Sequence, residues 1–287
     1  MTDRPADRGR QIKLRSGRRV HVIEAGEGPA VVLLHGSNTS SLSLLPVLER
    51  LRGVRGIAVD RPGFGQSEPL RVPRDQFRDA AVEFVDEILD ALALPTAALG
   101  GNSMGGTWGI WYALAHPERV QRLVLLGSAP LLPGTHPPLP LRITAAPLLG
   151  DILPRVVKPN RKLLLRLLAA MGEKDTILRY PDLVESLVAA ARDPIASAAN
   201  LAELRAIITP FGFRSSARIA PDVLRRLDVS TLLIWGDHDP VGSAEVARAT
   251  AQLMPKARLE LLPGGHVPYL GHPDRVSELV STFIRSG

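Results

Sequence analysis

The sequence predicts an α/β protein with a mostly parallel central sheet flanked by helices and a helical cap inserted late in the chain. Three observations predict it. Short apolar runs that suit strands buried on both faces alternate with stretches carrying apolar residues at helical spacing. The alternation lapses between about residues 133 and 225, where proline-rich and helical-looking segments replace it, and then resumes. The chain has 287 residues, 45% of them hydrophobic and 22% charged, which is enough to bury a large core without staples.

In chain order, residues 11–15 and 18–24 flank Ser16-Gly17 and read as a hairpin. Residues 30–34 (AVVLL) form a continuous apolar run, a buried strand ending at His35-Gly36. Residues 42–51 read as a helix and 54–59 as a strand ending at Asp60. Over 76–92 the apolar residues Ala80, Phe84, Ile88 and Leu92, with Val85 and Leu89 beside them, mark one helical face. Residues 97–99 are a short strand followed at once by GGNSMGG. A helix over 107–115 stops near His116-Pro117, and 122–126 (RLVLL) is a strand.

The pattern then breaks. Prolines 130, 133, 137, 138, 140, 147, 154 and 159 crowd one stretch. Helices are expected over 161–171, 181–191 and 198–208, with no strand before 231–235 (TLLIW). A helix at 244–253, a strand at 258–262 and a helix at 273–284 close the chain. This organisation divides it into a core, residues 11–132 and 226–287, and a helical lid, residues 133–225. Within the lid, residues 161–166 (RKLLLR) read as a helix with one wet face in preference to a lipid-touching one.

Composition removes several function classes. There is no cysteine, so disulfides, thiolate zinc sites and cysteine nucleophiles are excluded. The net charge of +6 comes mostly from arginine, with local clusters at 4–19 and 155–166. A nucleic-acid binder would interleave a basic stripe with aromatics. Aromatics make up only 4% here, so a solvated basic surface is expected instead. The first residues lack the apolar core of a secretory signal, and those up to about residue 10 read as frayed. No apolar run approaches the ~20 residues that span a bilayer. The expectation is a cytoplasmic protein that takes a small-molecule substrate, binds no nucleic acid and inserts stably in no membrane. A homodimer is compatible with it. No cofactor or metal is expected, since the histidines and carboxylates lack ligand spacing and there is no nucleotide loop.

The strongest chemical signal is Gly101-Asn102-Ser103-Met104-Gly105. It matches G-x-S-x-G and sits between a strand and a helix, where the turn lifts a serine hydroxyl off the sheet edge. Gly101 and Gly105 tolerate the close backbone approach that turn needs. The helix that follows points its free N–H groups at a developing negative charge. A serine hydroxyl needs a base within hydrogen-bond reach. Of the seven histidines, His266 lies on a loop just after the last predicted strand and is the candidate. His35 has a loop-packing character, His116 and His272 precede prolines, His21 sits in the hairpin and His136 in the proline-rich stretch. The base needs an orienting carboxylate, for which Asp237 and Asp239 compete after TLLIW. Asp237 is open to a reading as a turn residue bonding its own backbone, and Asp239 is favoured because Pro240 follows it and the family resemblance described below places the acid there. The chain order Ser103, Asp239, His266 is that of one nucleophile–acid–base arrangement and not of the two others known for serine proteases.

Over nearly its whole length, about residues 11–285, the chain resembles the α/β-hydrolase superfamily. LLHGSNTSS (33–41) resembles its oxyanion loop, WGDHDP (235–240) its acid loop and GGHVPY (264–269) its histidine loop. DRPGFGQS (60–67) resembles a further turn of the family, read here as structural. The resemblance implies Ser103 as nucleophile, His266 as general base, Asp239 as its acid, and the backbone N–H groups of Ser37 and Met104 as the oxyanion hole. Dehalogenases and epoxide hydrolases of this fold use an aspartate where Ser103 stands. GNSMGG and HGS resemble C–C bond hydrolases of ring-fission products, but those usually carry a tryptophan after the catalytic histidine, where this chain has Val267. Gly271-His272-Pro273 also stands where the family frequently has a glutamate. The expected function is therefore hydrolysis of a carboxylic ester, or a related acyl bond, of a small hydrophobic substrate through an acyl-enzyme. The alternatives are C–C bond hydrolysis, acyl transfer or cofactor-free peroxidation on the same triad, and non-catalytic ligand binding.

Overall fold

A computed structural model describes residues 9–156 and 158–286. Most of the N-terminal stretch read as frayed, with the Arg4 end of the first basic cluster, lies outside the described residues. The chain opens with the expected hairpin, β1 (Arg10–Lys13) and β2 (Arg19–Ala25), and continues through β3 (Ala30–Leu34), α1 (Leu45–Leu48), β4 (Arg55–Val59), α2 (Phe77–Ala91), β5 (Ala97–Asn102), α3 (Met104–Ala115) and β6 (Val120–Leu126). It then leaves the sheet for α4 (Leu139–Ala145), α5 (Leu149–Val156), α6 (Arg161–Ala170), α7 (Lys174–Ile177), α8 (Pro181–Arg192), α9 (Pro194–Ile207), the strands β7 (Ile208–Thr209) and β8 (Gly212–Phe213), and α10 (Pro221–Arg225). It returns with β9 (Thr231–Gly236), α11 (Ala244–Leu253), β10 (Ala257–Leu262), α12 (Pro268–Gly271) and α13 (Pro273–Arg285).

Eight strands make the main sheet, in the order β1-β2-β4-β3-β5-β6-β9-β10. β2 runs antiparallel to β1 and β4, and every other pairing is parallel. Side-chain alternation explains why the central strands read as unbroken apolar runs. In β3, Val32 and Leu34 join one core layer, and Val31 and Leu33 the other. The first layer is closed by α2, α3 and α11, the second by α1 and α13, so both faces are covered. On α2 the buried Ala81, Phe84, Val85 and Ile88 fall at helical spacing, and each large side chain contributes ~1.5–3 kcal/mol by leaving water. α3 is buried from Met104 to Ala113, which is why its sequence is apolar all round.

Three expectations are corrected. The helix expected over 42–51 is a 3-10 turn, Ser41–Leu44, followed by one short helical turn at α1. Pro46 has no N–H to donate back to Leu42, so one continuous α-helix cannot run through it. α3 begins at Met104, three residues earlier than expected, because the glycines that read as a loop are helical and are needed for packing. The proline-rich stretch, to which the sequence assigned no element, holds α4 and α5, and Pro140 sits in the first turn of α4, where a missing N–H is harmless. Strands also appear before β9. Ile208, assigned to a helix, pairs with Phe213 in a two-strand hairpin. α6 does show one wet face, with Leu164 buried and Arg161, Lys162 and Arg166 exposed. Among the described residues no helix is long and apolar enough to cross a membrane.

Candidate active site

β3 and β5 are neighbours, but the chain leaves β3 toward β4 on one side and β5 toward β6 on the other. Such a divergence opens a crevice at the carboxyl ends of the strands. The loops after β3, β5, β6, β9 and β10 meet there, and they carry the residues singled out in the sequence.

Ser103 is the single residue between β5 and α3, with φ 54° and ψ −121°. L-residues seldom adopt this conformation, and it stores ~1–3 kcal/mol of strain. The turn is tight because the elbow presses on β3. A Cβ on Gly101 would stand 2.6 Å from the Leu34 carbonyl oxygen, and one on Gly105 would overlap that same oxygen. Glycine is therefore required at both positions for close approach. Asn102 ties the elbow to its surroundings, its Nδ2 donating to the Leu126 carbonyl at 2.6 Å and to the His266 carbonyl at 3.1 Å.

His266 lies on the loop after β10. Its Nδ1 stands 2.9 Å from Asp239 Oδ2 and 3.1 Å from Oδ1. With Nδ1–H donating to the carboxylate, Nε2 is left as the acceptor. Asp239 is 3% exposed and also accepts the N–H groups of Ser128 at 3.0 Å and Val241 at 2.9 Å. Burial alone would raise its pKa, but the His266 charge and these hydrogen bonds hold it below the ordinary carboxylate value. Burial lowers the pKa of His266, and Asp239, helped by the charge of Glu173, more than reverses this, so His266 is a stronger base than a free imidazole. Asp237, the competing acid, instead accepts the Gly264 N–H at 2.9 Å and faces His238 at 2.6 Å. It braces the loop and does not touch His266.

Ser37 and Met104, expected as oxyanion donors, both line the cavity that Ser103 and His266 line. The Ser37 hydroxyl donates to Glu203 Oε1 of α9 at 2.5 Å. Glu203 in turn pairs with Arg61, which is fully buried. Arg61 also donates to the His35 carbonyl at 2.8 Å, and its guanidinium lies over the rings of Phe64 and Trp108. His35 donates from Nδ1 to the Gly36 carbonyl and accepts the Arg61 N–H at Nε2. Burial and the Arg61 charge push it down to about 3, so it stays neutral and packs the loop. The 60–67 turn is structural: Asp60 faces His21 and accepts the N–H groups of Ser41 and Gln66.

The cavity over Ser103 has a volume of about 810 Å³, within the range of small-molecule sites. α6, α8 and α9 supply apolar wall, including Leu164, Leu168, Leu187 and Leu204. Among the described residues that line it, the carboxylates are Asp151 and Glu173, and there is no Arg or Lys. Sequence reasoning missed Asn102, Ser128, Glu173, Glu203 and Arg61. Asn102 lay in plain view at a variable position of the motif. The two glutamates are single acids in the cap, where no periodic or motif signal marks them.

The profile of the α/β hydrolase fold family matches residues 29–171. The chain is 31% identical to the 2-hydroxymuconate semialdehyde hydrolase of Pseudomonas putida over 290 aligned residues, 96% of this chain and 94% of that one. It is 26% identical to the pimeloyl-[acyl-carrier protein] methyl ester esterase of Shewanella sp. (strain MR-7), covering 93% and 94% of the two chains. Its fold superposes on that of the CarC enzyme, a serine hydrolase involved in carbazole degradation, with a TM-score of 0.78 at 23% identity, covering 96% of this chain and 98% of that one. The chain belongs to the α/β-hydrolase family.

Proposed function

We propose that the protein hydrolyses a carboxylic ester of a small, uncharged, apolar substrate, with Ser103 as nucleophile, His266 as general base and Asp239 as its orienting acid. The observation that carries this reading is the lining of the cavity, which among the described residues is apolar apart from a few polar groups and two carboxylates, without a cation. An anionic substrate would lose its hydration there beside the buried Glu173, with no cation among the described lining residues to offset the cost, while Asp151 already pairs with Arg205 at 2.9 Å. Relatives of this chain include hydrolases named for dienoate and dienedioate substrates, which are carboxylates. The methyl ester esterase is the relative whose chemistry suits the lining better, although the 31% identity to a semialdehyde hydrolase keeps C–C bond cleavage as the second reading.

In this scheme the Ser103 hydroxyl attacks the ester carbonyl and passes its proton to Nε2 of His266. Asp239, bound to Nδ1–H, keeps the imidazole in the required tautomer and stabilises its charged form. The Ser37 and Met104 N–H groups receive the oxyanion, each worth ~3 kcal/mol in the transition state. The alcohol leaves with the proton from His266, and water activated by the same base releases the acid. The core spans residues 11–132 and 226–287, and residues 133–225 act as the lid.

The test is a p-nitrophenyl ester series from acetate to decanoate, run beside a 2-hydroxy-6-oxo-dienoate. The expected result is kcat/KM rising with acyl length to a medium chain. For the dienoate kcat/KM should lie at least ~100-fold below the best ester. Faster turnover of the dienoate than of every ester would overturn the ester reading in favour of C–C cleavage.

A further inference from the structure

Asp239 is not the only buried carboxylate at His266. Glu173, in the turn between α6 and α7, is 2% exposed and lines the cavity. Its Oε1 accepts the N–H of Val267, the residue after His266, at 2.6 Å. The turn that carries it rests directly on the histidine loop. The His266 N–H points at the Met171 carbonyl at 3.4 Å. A Cβ on Gly265 would stand 2.7 Å from Glu173 Oε1, and one on Gly172, at φ +74°, would stand 3.3 Å from the Gly265 Cα. The cap and the base loop therefore meet backbone to backbone, with a carboxylate set into the contact.

We propose that Glu173 is a positioning residue that serves His266 as a second carboxylate: it holds the histidine loop through Val267 and, together with Asp239, stabilises the imidazolium that forms when Ser103 gives up its proton. The assignment rests on the reading of His266 as general base. It makes the base a joint product of core and cap, since Asp239 comes from the loop after β9 and Glu173 from the helical insertion. Burial raises the Glu173 pKa, while the Val267 N–H, the His266 charge and the Thr176 side chain oppose the rise without cancelling it. The other groups facing the pair are Asp239, the Ser128 hydroxyl 3.2 Å from His266 Nδ1, and the buried Tyr269 of α12. The charge of Glu173 acts on His266 in the same direction as that of Asp239.

The experiment is an NMR titration of the ¹⁵N-labelled His266 imidazole in the wild type, Glu173→Gln and Glu173→Asp. It needs no substrate, so it stands apart from the ester reading. Glutamine keeps an acceptor oxygen for the Val267 N–H while it removes the charge. The expected result is a His266 midpoint about one pH unit lower in Glu173→Gln, with Glu173→Asp close to wild type. The acid limb of kcat/KM should move to lower pH by the same amount. Should the glutamine variant not fold, Glu173→Ser is titrated in its place with the same expected shift. An unchanged midpoint, whatever happens to kcat, would reduce Glu173 to a packing group and overturn the assignment. A shifted midpoint in a protein that cleaves no ester would keep it and overturn the ester reading alone.

Discussion

Ser103→Ala is expected to lower kcat for the best p-nitrophenyl ester by about 10⁵–10⁶-fold while changing the unfolding free energy by less than ~1 kcal/mol. The size follows from what would remain. With the hydroxyl gone no acyl-enzyme forms, and His266 can at most activate water against a carbonyl held by the Ser37 and Met104 N–H groups. Stability should barely move because alanine is close to serine in size. The φ of 54° strains alanine and serine alike, and β5 with the buried α3 holds the turn in either case. The measurements are steady-state hydrolysis, labelling by a fluorophosphonate, and chemical denaturation of both proteins. A loss smaller than tenfold, or labelling of the variant as fast as wild type, would remove Ser103 from the mechanism. A loss accompanied by unfolding would say only that the elbow had collapsed, which is why the denaturation curve belongs to the experiment.

What could be read from the sequence divides along a physical line. The strands of the sheet were legible because the central ones are buried on both faces, and a run such as Ala30–Leu34 has few other uses. Ser103, Asp239 and His266 were legible because each sits in a short motif directly after a strand, where backbone geometry restricts the residue types allowed. Asp239 was favoured over Asp237 from the sequence, and in the structure the first meets His266 while the second meets Gly264. The cap was legible as an interruption that holds three helices, met in the structure as α6, α8 and α9. Its helices α4 and α5 hide among prolines that mark turns elsewhere, and the α9 end at Ile207 gives way to a hairpin that two residues per strand cannot advertise. Glu173 and Glu203 were invisible for a different reason. Their partners lie 94 and 142 positions away in the chain, at Val267 and Arg61, and a lone acid carries no local sign of a long-range partner.

The second large effect concerns one of those hidden residues. Glu203→Ala is expected to destabilise the fold by ~3–5 kcal/mol, because Arg61 is fully buried and would keep its charge without the carboxylate that faces it. For a chain of this size that corresponds to a fall in Tm of about 10 °C. The double variant Arg61→Met, Glu203→Leu should recover most of the loss, since exchanging a whole buried pair for apolar groups of similar volume is often close to neutral. Activity should not recover with it. Glu203 also accepts the Ser37 hydroxyl at 2.5 Å and so fixes the loop after β3 to helix α9 of the cap. Without that anchor the Ser37 N–H, the proposed oxyanion donor, is no longer held in place, and a misplaced donor costs up to ~100-fold in kcat. The expected pattern in the double variant is therefore a near wild-type Tm, a kcat at least ~10-fold lower and a KM changed much less. Thermal unfolding and ester kinetics on the two variants read both halves. Glu203→Ala unfolding at the wild-type temperature would show that Arg61 finds another partner, and wild-type kcat in the double variant would show that the oxyanion loop holds its shape without the cap.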